Sequence, residues 1–394
     1  MHTVVVGGGF GGVKVAREIS KRQVGRVTLI SDEDYFLHHA TLYETATGRS
    51  HDESVIPLED AFSDCGNVKV VKDRIKGLDV ERKLVVGKDK SYRYDNLVVA
   101  MGVVTTYFGI DGMKEHSYGI KTLKEIKQFN RHLHQDLLDD GRFDKHHIVI
   151  GGGPTGVELA GALSEYLDRL AESHQVKRSK PRIMLVEASD RLLPRLSKTA
   201  SKKTKKRLEQ MGVKVLTGKA VEKLDDDSIV IDGKTYSTQT AIWTSGVANH
   251  PFFGRHSSVF ELSPNGRVVV DRHMMAAPNI YVIGDNAFTP YSGVAMTALS
   301  NAKFVADHLA RKAAKRPLPA VVHRKPPSSV PIGEDWAYVE WKGVYVAGRT
   351  GAWLRRQIEL YGLRSLLSWR TALKAWRAHH TFEETCRLCK ISNK

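Results

Sequence analysis

Two glycine-rich turns carry the clearest chemistry in this chain. The first reads Val4-Val5-Val6-Gly7-Gly8-Gly9-Phe10-Gly11-Gly12 and the second Ile148-Val149-Ile150-Gly151-Gly152-Gly153-Pro154-Thr155-Gly156. Each is a G-x-G-x-x-G that closes an apolar run and opens a helical pattern. In such a turn the first glycine (Gly7, Gly151) permits a tight reversal, and the second (Gly9, Gly153) lets the backbone approach a pyrophosphate. The third (Gly12, Gly156) lets the helix pack closely on the strand. The anion then rests on free N–H groups at the positive end of the helix dipole. Two such turns imply two dinucleotides and electron transfer between them. An acid closing the second strand of each unit would bond the ribose hydroxyls. In the second unit that acid is Glu187, within Leu185-Val186-Glu187-Ala188. Its carboxylate accepts from a 2′-OH and repels a 2′-phosphate, so NADH is expected over NADPH. In the first unit the position after Val27-Thr28-Leu29-Ile30 is open between Ser31 and Asp32.

These residues need a β-α-β frame, and the apolar periodicity supplies two. The first has a strand at Thr3–Gly7, a helix at Val13–Lys21 and a strand at Arg26–Ile30. The second opens at His147, continues in a helix over roughly Val157–Ser173, and returns at Arg182–Val186 after the basic loop Lys177–Lys180. Leu97–Ala100, closing on Gly102, and Ile280–Ile283, ending at Gly284-Asp285, read as further buried strands. Helices are expected over Leu123–Leu138 and from about Val294 to Lys315, and Asp225–Gly233 as a turn between short strands. Pro317–Pro331 is expected to be irregular. This order predicts an α/β chain of two Rossmann-like domains, one inserted in the other. Residues 1–108 and 241–320 form the first domain and 109–240 the insert.

The bulk properties agree. At 394 residues the chain exceeds what one core usually holds. No apolar run reaches the length of a membrane span. The first strand begins at Thr3, so no signal peptide is expected. Three cysteines, Cys65, Cys386 and Cys389, are too few for a disulfide framework. The net charge of +16 implies an anionic partner. No nucleic-acid motif is present, so no nucleic acid is expected. The tail favours an anionic membrane surface: from Trp353 to Arg370, and on to Trp376 and Arg377, Leu, aromatics and Arg alternate as in one or two amphipathic helices lying on lipid. Residues 321–394 are therefore expected to be a membrane-associating region.

Several segments resemble the type II NADH dehydrogenases, a group of FAD-dependent pyridine nucleotide oxidoreductases. Tyr94-Asp95-Asn96-Leu97-Val98-Val99-Ala100-Met101-Gly102 is similar to their Y-D-x-L-V-x-A-T-G crossover, with Met101 for Thr. Tyr107-Phe108-Gly109-Ile110-Asp111-Gly112, the run from Gly151 to Gly161, Ile242-Trp243-Thr244-Ser245-Gly246-Val247, Ile280–Asp285, and the tail from Trp336 to Trp376 resemble further family segments. The resemblance implies FAD on the first turn, held by Gly7, Gly9, Phe10, Gly11, Gly12, Ser31 or Asp32, Ala100, Gly102, Gly284 and Asp285. It implies NADH on the second, held by Gly151, Gly153, Pro154, Thr155, Gly156, Glu187 and Gly246. Ala295 and Met296, opening the next helix, complete the cofactor set, and no metal is expected. Glu158 is implied as the catalytic residue beside nicotinamide and acceptor. The implied reaction takes a hydride from NADH to FAD and two electrons onward to a membrane quinone. It would run without proton pumping, in a peripheral protein on the cytoplasmic face of the cell membrane, with a homodimer left open.

The pattern departs from the family in two places. Where the quinone reductases carry A-Q-x-A-x-Q, this chain has Ala295-Met296-Thr297-Ala298-Leu299-Ser300, and both glutamines that border the quinone are gone. The F-L-F-x-P-L-L stretch becomes Phe36-Leu37-His38-His39-Ala40-Thr41-Leu42, whose histidines are structural or handle protons near the flavin. No cysteine lies between Cys65 and Cys386, which excludes a disulfide reductase and a sulfide:quinone reductase. Two other readings follow from these departures: a soluble reductase of a small electron-carrier protein, and an NADH-sensing flavoprotein of the apoptosis-inducing-factor type.

Overall fold

A computed structural model describes residues 1–140, 146–173 and 182–382. The basic loop Lys177–Lys180, Cys386 and Cys389 lie outside them. Six strands form the first sheet, in the order Met275–Ala277, Ile280–Val282, Asn96–Val99, His2–Val6, Arg26–Ser31 and Val68–Lys72. His2–Val6 is central and parallel to both neighbours, Val4 facing Thr28 on one side and Leu97 on the other. Helices Phe10–Lys21 and Ala295–Ala313 pack against one another over this sheet. Burial on both faces explains the continuous valine run: Val4 and Val5 are wholly buried, each worth about 2 kcal/mol by area.

The second sheet runs Lys214–Thr217, Arg182–Glu187, His146–Ile150 and Thr240–Trp243, all parallel. Here the structure moves a boundary. The division expected at 240/241 cuts the strand Thr240–Trp243, which pairs with His147–Ile150 and so belongs to the insert. The Asp225–Gly233 region is a meander of three antiparallel strands, Val221–Leu224, Ser228–Ile231 and Lys234–Ser237.

The last part of the chain differs most from expectation. The proline-rich stretch ends in a strand, Ser328–Pro331, that pairs with Ala337–Trp341, which in turn pairs with Val344–Gly348. Helices Arg349–Leu366 and Trp369–Ala378 follow, the second capped by the Ser368 hydroxyl accepting from the Thr371 N–H. Neither is a detached anchor. Leu363, Leu366, Ala372 and Ala375 enter the core of the first domain, and Val330 and Tyr338 enter that of the second. The Lys14 ammonium donates to the Ser365 carbonyl at 2.9 Å. The tail therefore ties the two nucleotide domains together.

Candidate functional site

The two glycine turns match bond for bond. Gly7 and Gly151 adopt φ of +113° and +117°, a region favoured by glycine. Their N–H groups donate to the Ile30 and Val186 carbonyls, each at 2.8 Å. Ala100 and Thr244, opening the crossovers, donate to Val6 and Ile150 at 2.8 and 3.0 Å. A Cβ on Gly12 would strike the Gly7 carbonyl oxygen, and one on Gly156 the Gly151 oxygen, whereas the space beside Gly9 and Gly153 is open. Helix Phe10–Lys21 starts without a side-chain cap or an acid in its first turn. Helix Pro154–Ser173 opens on proline, also without a first-turn acid. Their leading N–H groups lack intrahelical partners and suit an anion. Both cradles fit a dinucleotide pyrophosphate.

The groups around the cradles fall into place unevenly. Ser31 is buried against Gly8, while Asp32 is exposed on the rim, 4.0 Å from Arg74. Glu187 ends its strand with its carboxylate accepting from the N–H of Gly152 at 2.5 Å and of Ser189 at 2.7 Å. The acid is thus locked to its own glycine turn. Asp285 accepts from the Gly293 N–H at 2.9 Å. Its buried neighbour Asn286 clamps Gly102, accepting from the N–H at 2.9 Å and donating to the carbonyl at 2.5 Å. Gly246, at φ +67°, abuts the Thr106 carbonyl and the Phe108 ring, so the linkers between the domains touch there. The Lys121 ammonium is buried without a hydrogen-bond partner among the described residues. Burial lowers its pKa, and Asp285 is the first acid to oppose that.

Glu158 stands one turn inside the second helix and faces the first domain and the tail. Burial pushes its carboxyl up to about 8; the Arg355 charge works against this and the Glu44 charge adds to it. One turn further along the helix, at Ala162, a cleft of about 530 Å³ opens, lined also by Tyr43, Glu44, Arg355, Glu359 and His379. Tyr43 donates to Glu44. His379 Nδ1 lies 2.8 Å from Glu44 and 3.0 Å from Glu53. Arg356 donates to Glu359 at 2.9 Å and to Glu53 at 3.4 Å, and Arg355 to Glu359 at 3.3 Å. Burial alone would lower His379; its bonds to the two glutamates raise it to about 9. Burial and the Glu44 charge push Glu53 well above the carboxylate range.

None of Tyr43, Glu44, Glu53, Glu359, His379 or Lys121 was singled out by the sequence. Arg355 and Arg356 were expected to face lipid. They turn inward onto buried carboxyl groups that need polar partners, Arg355 and Arg356 on Glu359 and Arg356 also on Glu53. The spacing of Arg355 and Arg356 with Glu359, four and three residues on, was the available signal. His38 is buried beside Phe10, bonded to Thr41 Oγ1 at 3.1 Å, and burial holds it down to about 4. It is neutral and structural. Met296 and Ser300, in the positions of the missing glutamines, line a smaller pocket of about 240 Å³ with Tyr291, His323, Arg324 and Pro326.

Comparison with known proteins identifies the class. Residues 1–303 match the pyridine nucleotide-disulphide oxidoreductases, and the chain belongs to that family. The type II NADH:quinone oxidoreductase NdhA of Mycobacterium tuberculosis is 29% identical over 330 residues, 77% of this chain and 70% of the relative. The type II NADH:quinone oxidoreductase of Staphylococcus aureus is 28% identical over 306 residues, 73% and 75% of the two chains. Among solved structures, NDH2 from Plasmodium falciparum in complex with NADH superposes with a TM-score of 0.85 at 18% identity, covering 96% of this chain and 97% of the other. The sulfide:quinone oxidoreductase of Aquifex aeolicus gives 0.79 at 19%, covering 94% and 92%. The two cradles have their class of occupant in the FAD and pyridine nucleotide of this family. Despite the family name, Cys65 is the free cysteine among the described residues, buried and with its thiol pushed up by burial.

Proposed function

We propose that this chain is an FAD-dependent NADH dehydrogenase that passes two electrons to a membrane quinone without pumping protons. The observation that carries the reading is Glu158: a carboxyl of raised pKa, one turn beyond the second glycine cradle and near enough to Tyr43, Glu44 and Arg355 to feel or exert charge on each. Bound FAD would supply a two-electron relay between nicotinamide and acceptor. The chain's own part is placement. Gly7–Gly12, Ser31 and Asp285 hold FAD, with Asn286 fixing the crossover at Gly102. Gly151–Gly156, Glu187 and Gly246 hold NADH. Glu158 sits where a proton is exchanged. The overall balance is NADH + H⁺ + quinone → NAD⁺ + quinol.

Steady-state NADH oxidation by the FAD-loaded protein, with and without a short-chain quinone, tests this. Fast quinone-dependent turnover is expected despite Met296 and Ser300. Rapid flavin reduction without such turnover would move the acceptor to a small carrier protein. Nucleotide choice is tested with Glu187→Gln, which keeps an acceptor for the Gly152 N–H but removes the charge. The parent should prefer NADH in kcat/KM, and the variant should lose about tenfold of that preference, about 1.4 kcal/mol. An unchanged preference would clear Glu187 of the role.

Membrane association rests on a patch at the tail. No helix among the described residues is long and apolar enough to cross a membrane. Trp353 and Tyr361 are each 66% exposed and Val344 71%, beside exposed Trp341 and Trp369. Lys342 lies over the Trp341 ring and Arg364 over the Trp369 ring, and Arg349 and Arg370, in the two tail helices, are exposed. Aromatics beside cations suit an anionic lipid interface, here on the cytoplasmic face of the cell membrane. Deleting the tail would uncover both cores, so point changes are the cleaner test. Trp353→Ser with Trp369→Ser should weaken flotation with anionic liposomes by about tenfold or more and leave flavin reduction by NADH unaltered. Equal flotation would clear the patch.

A further inference from the structure

We propose that Tyr43, Glu44, Glu53 and His379 form a proton relay from solvent to the acceptor side of the cleft near Glu158. The inference rests on the reaction proposed above, which takes up one proton from solvent for each NADH oxidised. The hydride brings both electrons but only one hydrogen, and the quinol needs a second.

A close carboxylate pair is where the cluster holds a proton. Glu44 and Glu53 both reach His379 Nδ1, at 2.8 and 3.0 Å, and like charges brought that close favour protonation of one of them. Glu158 is mostly neutral at pH 7, and Arg355 and Arg356 are taken up by Glu359, with Arg356 also reaching Glu53. The other charged groups nearby are already engaged. Arg49 binds Glu334 and, at 2.6 Å, the His379 carbonyl. Arg169 pairs with Glu334, the Glu165 carboxylate accepts from the Glu334 N–H, and Lys374 pairs with Asp52 on the rim. Glu53 is fully buried, and its Oε2 has no partner among the described residues.

The cluster also has two ends. His379 is partly exposed and is followed by exposed His380. At the other end Tyr43, hydrogen-bonded to Glu44, lines the cleft and feels the charge of Glu158. In the transfer, the Tyr43 O–H bond breaks as its proton passes to the acceptor oxygen, or to Glu158 after Glu158 has given its own proton to that oxygen. A new O–H bond forms with the proton of the Glu44–Glu53 pair. That pair then takes the Nδ1 proton of His379, and solvent reprotonates the imidazole. No relay residue is oxidised or reduced.

Rapid mixing separates the two half-reactions. Tyr43→Phe keeps the ring and removes only the hydroxyl. Its reduction by NADH should stay within about twofold of the parent, while reoxidation by a short-chain quinone slows about 10²-fold and loses its solvent deuterium isotope effect. His379→Ala should slow the same step, and added imidazole should restore it. Infrared spectra of the oxidised protein at neutral pH, before any NADH, should show, beside the band that Glu158→Gln removes, a second carboxylic acid C=O band that Glu53→Gln removes. Parent-like reoxidation in Tyr43→Phe, no rescue of His379→Ala by imidazole, or no such band would each overturn the relay. A parent that is reduced by NADH but not reoxidised by quinone would overturn the reaction itself, and the relay with it.

Discussion

A Gly12→Ala chain is expected to emerge from purification without flavin. The new Cβ would sit on the Gly7 carbonyl oxygen, and neither partner can retreat. Gly7 is held at φ +113° with its N–H on Ile30, and Gly12 is inside a helix packed on the central strand. Overpacking a rigid site costs about 1–3 kcal/mol; here that strain falls on the turn that must cradle a pyrophosphate. Gly156→Ala is the matched change in the other cradle. Its Cβ would meet the Gly151 oxygen and Thr244 Oγ1, and that hydroxyl is fixed on the Ile150 carbonyl at 2.8 Å. This variant should keep FAD but need about 100-fold more NADH to half-saturate flavin reduction, close to 3 kcal/mol. Gly153→Ala, where a Cβ meets nothing within 4 Å, separates collision from crowding of the ligand: its fold and FAD content should match the parent. Flavin absorbance per protein and the NADH dependence of rapid-mixing reduction give both readings. A full flavin complement in Gly12→Ala would show that the first turn does not hold FAD.

What the sequence disclosed and what it concealed follow from distance along the chain. Each glycine turn is a local device: strand, three glycines and helix lie within a few residues, and a strand buried on both faces announces itself as an unbroken apolar run. The second unit repeats the first, so each supports the other. The boundary at 240 was misplaced because Thr240–Trp243 is as apolar as a strand of either sheet, and only its pairing with His147–Ile150 assigns it. The inward turn of Arg355 and Arg356 is hidden in the sequence for a related reason. A helix with arginines on one face and aromatics on another has the same periodicity whether the arginines meet lipid headgroups or buried acids. The acids that turn Arg355 and Arg356 inward come from elsewhere as well as from the helix: Glu53 is some 300 residues away, at |i−j| = 303. His379 likewise has no visible role until the fold sets it between Glu44 and Glu53. The lock between Glu187 and Gly152 could be guessed as a strand-end acid, but not as a bond to the turn it serves.

Glu158→Gln should slow quinone-dependent reoxidation of the flavin by about 10²-fold at neutral pH and flatten its alkaline fall. With its pKa pushed up to about 8, the parent carboxyl is mostly protonated at pH 7 and can donate. It ionises as pH rises through 8, so reoxidation in the parent should fall across that range. Glutamine cannot donate at any pH. The same shift has a consequence for stability that needs no cofactor chemistry. The folded-state pKa lies above the ordinary value of 4.5, so the side chain favours the fold fully only below 4.5, and that advantage is lost as pH rises through 8. Parent and Glu158→Gln should therefore melt alike near pH 4, and the variant should melt higher at pH 9, where the parent must hold a charge in a desolvated setting. Both curves come from the same two proteins. A Glu158→Gln enzyme that kept the parent's alkaline fall would assign that titration to another group. One that melted lower than the parent at pH 9 would mean that Arg355, rather than burial, governs this carboxylate.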